Sequence, residues 1–409
     1  MISLGSNISA TQVVESKYSA SFDGTDDYIQ VGDVGAVKSM SLWFSPDINI
    51  DSSTGPKRLI GFSTSYFGIT LGAVTSSFSD ETLTVIPDSS NRTMSSRTFT
   101  AGDWYHLVIS WNASNNYFDI YINNVAENDN NTGTHSLANW TDFKIAKNAS
   151  SANFPGKITE VALWSTTLDS NNIGALYNNG KPINATINQG NYDNSSNLTG
   201  YWRMGNGFFD DKVNGVVHDQ DNSGFGSNLV VNADFSANEA EDQDYLNGGL
   251  QFDNWVEQQS TGLRKFELTS DGQGIRCTIE TANDNSWNQR IYQDVSSVLI
   301  VGDVYEFSVE VLCSLARNFE ACIETRAGAG DQFTPDDVAL SANTRTVIKK
   351  VFRCTATGDS GNPMTFHLYP TGDVLPAGEF YEVRNPSLKK LNGNPGVTSG
   401  GVTFSSDNP

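Results

Sequence analysis

The sequence predicts an all-β protein of two tandem β-sandwiches, with one short helix in the first. Three observations point there. Short alternating apolar runs recur along the chain, separated by Gly, Asn, Asp and Ser clusters. The length of 409 residues exceeds what one small core organises. A Gly/Asn/Asp-rich stretch over 205–227 reads as a boundary near Ser227.

Residues 1–15 are mixed and polar and read as an N-terminal arm. The first domain, 16–227, opens with alternation on both sides of an Asp23-Gly24 turn signal, from Tyr18 to Val31. Met40, Leu42 and Phe44 then share one strand face, and Pro46 ends the pairing. Short strands are expected at Leu59–Phe62, Phe67–Leu71 and Leu83–Ile86. A hairpin follows: Tyr105, Leu107, Ile109 and Trp111 line one face, the turn is 112–116, and the return strand starts at Tyr117. The stretch 154–180 combines a Pro155-Gly156 turn, a strand carrying Ile158, Val161, Leu163 and Trp164, and a helix. Asp169 suits the N-cap, because its carboxylate can accept from the free N–H groups of the first turn. Leu168 and Ile173 have staple spacing, and Ile173, Leu176 and Tyr177 share a face. Gly180 is placed for a left-handed C-cap. The strand is expected to close the first sandwich at its edge, against the strands around Phe22 and Trp43. The second domain spans 228–391, where Tyr305, Phe307, Val309 and Val311 alternate onto one side. Residues 392–409 have the composition of a flexible or partner-ordered tail.

The net charge is −22. That argues against nucleic acid as a partner, since binding it needs basic stripes that replace counterions, and against insertion into or binding on anionic membranes. The start of the chain lacks a basic segment followed by an apolar one, and no run of eighteen apolar residues occurs. Cys277, Cys313, Cys322 and Cys354 show no metal-ligand spacing and are expected as buried free thiols. His106, His135, His218 and His367 form no close pair, and no HExxH, nucleophile elbow or P-loop is present. Glu239, Glu241 and Asp242 cluster in a polar loop segment and read as a solvated acidic loop.

The segments Phe22-Asp23-Gly24 to Val31, Met40 to Pro46, Trp104 to Asn124, and Gly156-Lys157-Ile158-Thr159-Glu160-Val161 with its helix resemble, in order, the laminin-G-like domains of the concanavalin-A-like lectin class. Asn228 to Phe235, Trp255, Trp287 to Gln293, Gly302 to Val309 and Phe380 to Leu388 resemble carbohydrate-binding modules with a galactose-binding-like jelly roll. The fold expectation is therefore a concanavalin-like jelly roll followed by a carbohydrate-module-like one.

The resemblance implies glycan contacts through Trp287 and Gln289, with Trp140 and Trp255 as further aromatic candidates. No cofactor is required. A structural calcium ion in the first domain would use Asp23, with Glu160 as a weaker neighbour. Thr159 stands where the family has Asp, and Arg384 where the jelly roll has one; both departures weaken a metal site. The catalytic Glu-x-Asp-x-x-Glu strand of the related glucanases is missing, so no enzyme activity is expected. Tandem acidic, Asn-rich modules of this kind resemble accessory proteins of marine bacteriophage particles. The expectation is a non-enzymatic virion surface protein (head decoration, fibre or tail-associated adhesin), assembled in the host cytoplasm and released by lysis. It would be multicopy or homo-oligomeric, dock on capsid or tail proteins, and contact host or environmental glycans. The alternatives are a secreted bacterial glycan-binding adhesin and an accessory module of a polysaccharide-degrading glycoside hydrolase.

Overall fold

A computed structural model of the chain describes residues 16–62, 67–74, 80–87, 91–127, 130–147, 152–221, 224–235, 254–257, 264–282, 290–325, 338–359, 362–371 and 375–409. The arm at 1–15, the acidic cluster around Glu241 and the pair Trp287 and Gln289 lie outside the described residues. The chain forms two compact units, one running to Gly224 and resuming over Asn392–Pro409, the other spanning Phe225–Leu391.

The first unit is a sandwich of two antiparallel sheets. One orders its strands 125–126, 117–122, 105–112, 39–46, 155–164, 19–23 and 403–405, with 198–202 also paired to 155–164. The other runs 130–131, 93–95, 83–86, 68–71, 57–61, 143–145, 28–32, 396–399 and 216–217. Alternation aims Phe22, Met40, Leu42, Phe44, Leu107, Ile109 and Ile158 inward from one sheet. They meet Ile29, Val31, Ile69, Leu71, Val85 and Phe143 from the other.

Pro155–Trp164 is central rather than an edge. It pairs with Ser39–Pro46 on one side, and with Ser19–Asp23 and then Leu198–Trp202 on the other. Gly156 permits that crowding: its φ is +145°, and a Cβ there would meet the Ser45 carbonyl oxygen at 2.3 Å.

The helix is Ser170–Tyr177, with the Asn172 N–H donating to Asp169 Oδ1 at 2.9 Å. Its left-handed cap is Asn178 at φ 42°, earlier than the expected Gly180, because Asn also tolerates this region. Leu168, Ile173 and Leu176 pack with Val108, Ala162, Trp164, Tyr192 and Tyr201 into a second, smaller core on the outer face of the first sheet.

The expectation of a flexible or partner-ordered tail over 392–409 is corrected. Gly396–Ser399 pairs with Tyr28–Gly32 and Val216–Val217, and Thr403–Ser405 pairs with Ser19–Asp23. Composition hid these strands because Gly, Thr and Ser dominate them, with Val397 and Phe404 their only apolar residues. The second unit is thus an insertion in the chain of the first. Its two sheets run 264–268, 274–279, 380–391, 304–313, 346–353, and 256–257, 291–294, 362–371, 317–325, 338–340. Tyr305, Phe307, Val309 and Val311 face its core with Trp255 and Tyr381. All four cysteines are buried and free.

Candidate functional site

The turn after Ser19–Asp23 gathers Asp23, Asp26 and Asp27, whose carboxylate oxygens lie within 4.8 Å of one another. Asp23 accepts from the Thr25 N–H at 2.7 Å, which holds its carboxyl below the ordinary range. Asp27 is buried and accepts from the N–H groups of Asp23 and Gly401. These are hard oxygen donors of the type calcium takes.

Glu160 does not belong to that cluster. A bulge between Thr159 and Ala162, with Glu160 at φ 52°, turns its carboxylate to Arg203. Arg203 Nη2 lies 3.0 Å from Glu160 Oε1, both side chains are nearly inaccessible, and the Tyr201 hydroxyl donates to Oε2. Burial, and then the Glu160 charge, push the Tyr201 phenol well up. Thr159 is equally internal, its hydroxyl donating to the Tyr18 carbonyl at 3.0 Å.

The two described tryptophan candidates are corrected as well. Trp140 is 2% exposed and stacks on Phe62 with ring centroids 4.1 Å apart. Trp255 is 1% exposed and donates its indole N–H to the Asn232 carbonyl at 3.1 Å. Neither offers a face to a ligand; each ring area serves a core.

What sequence reading missed is a cleft of about 410 Å³ beside the helix. One wall is the outward side of Ser170–Tyr177, presenting Ser170, Asn171, Gly174 and Ala175, continued by Asn178. The other is a turn whose Gln189 and Tyr192 exchange both backbone bonds at 3.0 Å, with Gly190 at φ 58°. Ile183 closes the floor. Tyr192 anchors the turn: its hydroxyl accepts from Trp164 Nε1 at 3.0 Å and donates to the Ala185 carbonyl at 2.8 Å. Burial pushes this phenol up to about 12. Asn172 Oδ1 accepts from the Asp193 N–H at 3.1 Å and ties helix to turn. The available signal was the Asn/Gly-rich sequence on either side of the helix.

Under the helix, His106 stacks on Trp43 at 4.7 Å and bonds Ser41 Oγ through Nε2 at 2.7 Å. Burial holds its imidazole down at about 3, so it stays neutral. Asp210 accepts from the N–H groups of Gly205, Gly207 and His218, and Asp219 from those of Tyr201 and Asn394. Burial raises both carboxyls to about 6. In the second unit Glu379 pairs with Arg317, and Glu382 with Arg276 and Arg345. Arg384 pairs with Asp271 at 2.6 Å, so a cation occupies the place of the jelly-roll Asp.

Residues 23–174 match the concanavalin A-like lectin/glucanases superfamily. No curated protein sequence matches the chain. Among solved structures, a proposed carbohydrate-binding protein from Bacteroides ovatus is similar at 15% identity, covering 50% of this chain and 56% of that one, with a TM-score of 0.37. A heptameric pentraxin from Limulus polyphemus is similar at 15% identity, over 40% of this chain and 82% of that one, with a TM-score of 0.31. Domain 4 of an extracellular arabinanase from Geobacillus stearothermophilus, solved with arabinotriose, is similar at 22% identity, over 39% and 76%, with a TM-score of 0.30.

Proposed function

We propose that this chain is a non-enzymatic glycan-binding protein. The observation that carries the reading is a lectin-type first unit in which Glu160, Asp210 and Asp219 are engaged internally, as Glu379 and Glu382 are in the second unit. Glu160, Asp210, Asp219, Glu379 and Glu382 each bind an arginine or backbone N–H groups. Glycoside hydrolysis needs two carboxyls facing a shared cleft, one protonated and one charged. A panel of neutral and acidic polysaccharides, read for both retention and new reducing ends, tests this. The reading expects retention without cleavage. Turnover abolished by a single Glu or Asp substitution would establish a hydrolase instead.

A second reading, attachment to a bacteriophage head or tail, is favoured by one loop. Phe208 is 71% exposed and Val213 93% exposed, on a segment that Asp210 and Gln220 hold rigid. Phe208 and Phe209 form an edge-to-face pair 4.3 Å apart, with Phe209 in the left-handed region at φ 70°. A bulky residue held there is strained, which is reasonable where display of the ring matters. Exposed apolar anchors of this kind suit a protein partner. The occupant in this reading is a structural protein of the particle. Intact particles should carry the protein at fixed stoichiometry and lose it when Phe208 and Val213 are both changed to Ser. Absence from purified particles removes this second reading and leaves the glycan reading standing.

Asp23, Asp26 and Asp27 are the residues that would hold a structural calcium ion, which would cross-link the turn to the C-terminal segment through Asp27. A rise in melting temperature with calcium that Asp23→Asn removes supports it, by mass action on the folded state. An unchanged melting temperature refutes it.

A further inference from the structure

We infer that the cleft between the helix Ser170–Tyr177 and the Gln189–Tyr192 turn is the subsite for a short neutral oligosaccharide. This rests on the glycan-binding reading and adds the place and the chemistry of the ligand.

The first argument is the set of polar groups. Asn171 and Asn191 are exposed and their side-chain amides have no partner among the described residues. The Asn178 and Gln189 amide nitrogens are used locally, on Lys181 and Asn184 carbonyls, which leaves their oxygens as acceptors. An amide offers a donor and an acceptor side by side, which matches two neighbouring hydroxyls of a sugar ring.

The second is charge. Among the described residues no Lys, Arg, His, Asp or Glu lines the cleft, in a chain of net charge −22. An anionic ligand would find no cation, and a cationic one no carboxylate. The third is shape. Gly190 adds no side chain to the turn wall, Ala175 and Ile183 give apolar surface for C–H faces, and about 410 Å³ is within the range of small-ligand clefts. A peptide strand would need an unpaired sheet edge, whereas the turn wall closes its own backbone bonds between Gln189 and Tyr192. The fourth is preorganisation. Trp164, Ala185 and Asn172 fix the turn before any ligand arrives, so little ordering remains on binding.

The test is titration of the full chain with neutral gluco-, xylo-, arabino-, galacto- and manno-oligosaccharides and with uronic and sulfated counterparts. The probe variant is Asn171→Ala with Asn191→Ala. Both side chains are exposed and unpartnered, so its melting temperature should equal the parent's. The expected result is binding of a neutral series that weakens about tenfold or more in the double variant. Equal affinity in parent and variant overturns the subsite while leaving glycan binding intact. Binding of acidic oligosaccharides alone overturns the assigned chemistry. Binding of no oligosaccharide overturns both this inference and the reading under it.

Discussion

The hydroxyl of Tyr192 accepts the indole N–H of Trp164 at 3.0 Å and donates to the carbonyl of Ala185 at 2.8 Å. One phenol thereby joins the strand Pro155–Trp164, the loop after the helix and the turn that walls the cleft. Tyr192→Phe keeps the ring and removes the joint, leaving a buried indole N–H and a carbonyl without this partner. The expected cost is about 1–3 kcal/mol in urea unfolding, together with weaker oligosaccharide binding as the wall loosens. Unchanged stability would show that the contact is incidental.

Glu160 and Arg203 form an ion pair with both side chains buried. Removing one partner of such a pair strands the other charge in the interior, so Glu160→Gln should destabilise the first unit by about 3–5 kcal/mol. Equilibrium denaturation measures it. A loss under 1 kcal/mol would mean that water reaches the guanidinium.

His106 gives a pH signature. Its folded value is about 3, against 6.5 for the ordinary imidazole, because burial disfavours the cation. As pH falls below 6.5 the unfolded chain takes up a proton that the folded one refuses. Stability is then lost at about 1.4 kcal/mol per pH unit until the folded group itself titrates. Asp210 and Asp219 push the other way: raised to about 6, they take protons in the folded state first, so their contribution is lost as pH rises from about 4 to about 6. Comparing His106→Gln with the parent between pH 6.5 and 4.5 isolates the imidazole. The variant should lose less stability on acidification, by about 1.4 kcal/mol per unit; parallel profiles would contradict the assignment.

The C-terminal strands are structural. Val402 and Phe404 pack against the core, Trp202 Nε1 donates to the Asn394 carbonyl at 2.8 Å, and a Cβ on Gly396 would meet Ile29 Cγ2 at 2.5 Å. Truncation after Leu391 uncovers the Ser19–Asp23 and Tyr28–Gly32 strands. The shortened protein should be insoluble or lose its cooperative thermal transition, followed by circular dichroism. An unchanged transition would show that the strands are dispensable.

Much of the fold was legible because period-two alternation is strong where one strand face meets a core. Met40, Leu42 and Phe44, and Tyr305, Phe307 and Val309, lie as their spacing predicts. The helix was legible from Asp169 and the Ile173 and Leu176 face. The discontinuity of the first unit was not, since the pairing of Val397 with Gln30 joins residues distant in sequence and the segment is locally polar. The site was harder still. Trp140 and Trp255 look alike to an exposed platform in sequence and prove to be core. The cleft instead is lined by Asn171 from the helix and Asn191 from a turn fixed by Tyr192, and Asn is common throughout the chain. Glu160 misled for a different reason: a bulge reversed the side its carboxylate faces.

The most direct test of the central claim is titration of the full chain against a panel of neutral oligosaccharides, with the reaction mixture assayed for cleavage products. The expected result is saturable binding of at least one neutral series and no new reducing ends. Failure to bind any glycan, or release of products, would contradict it.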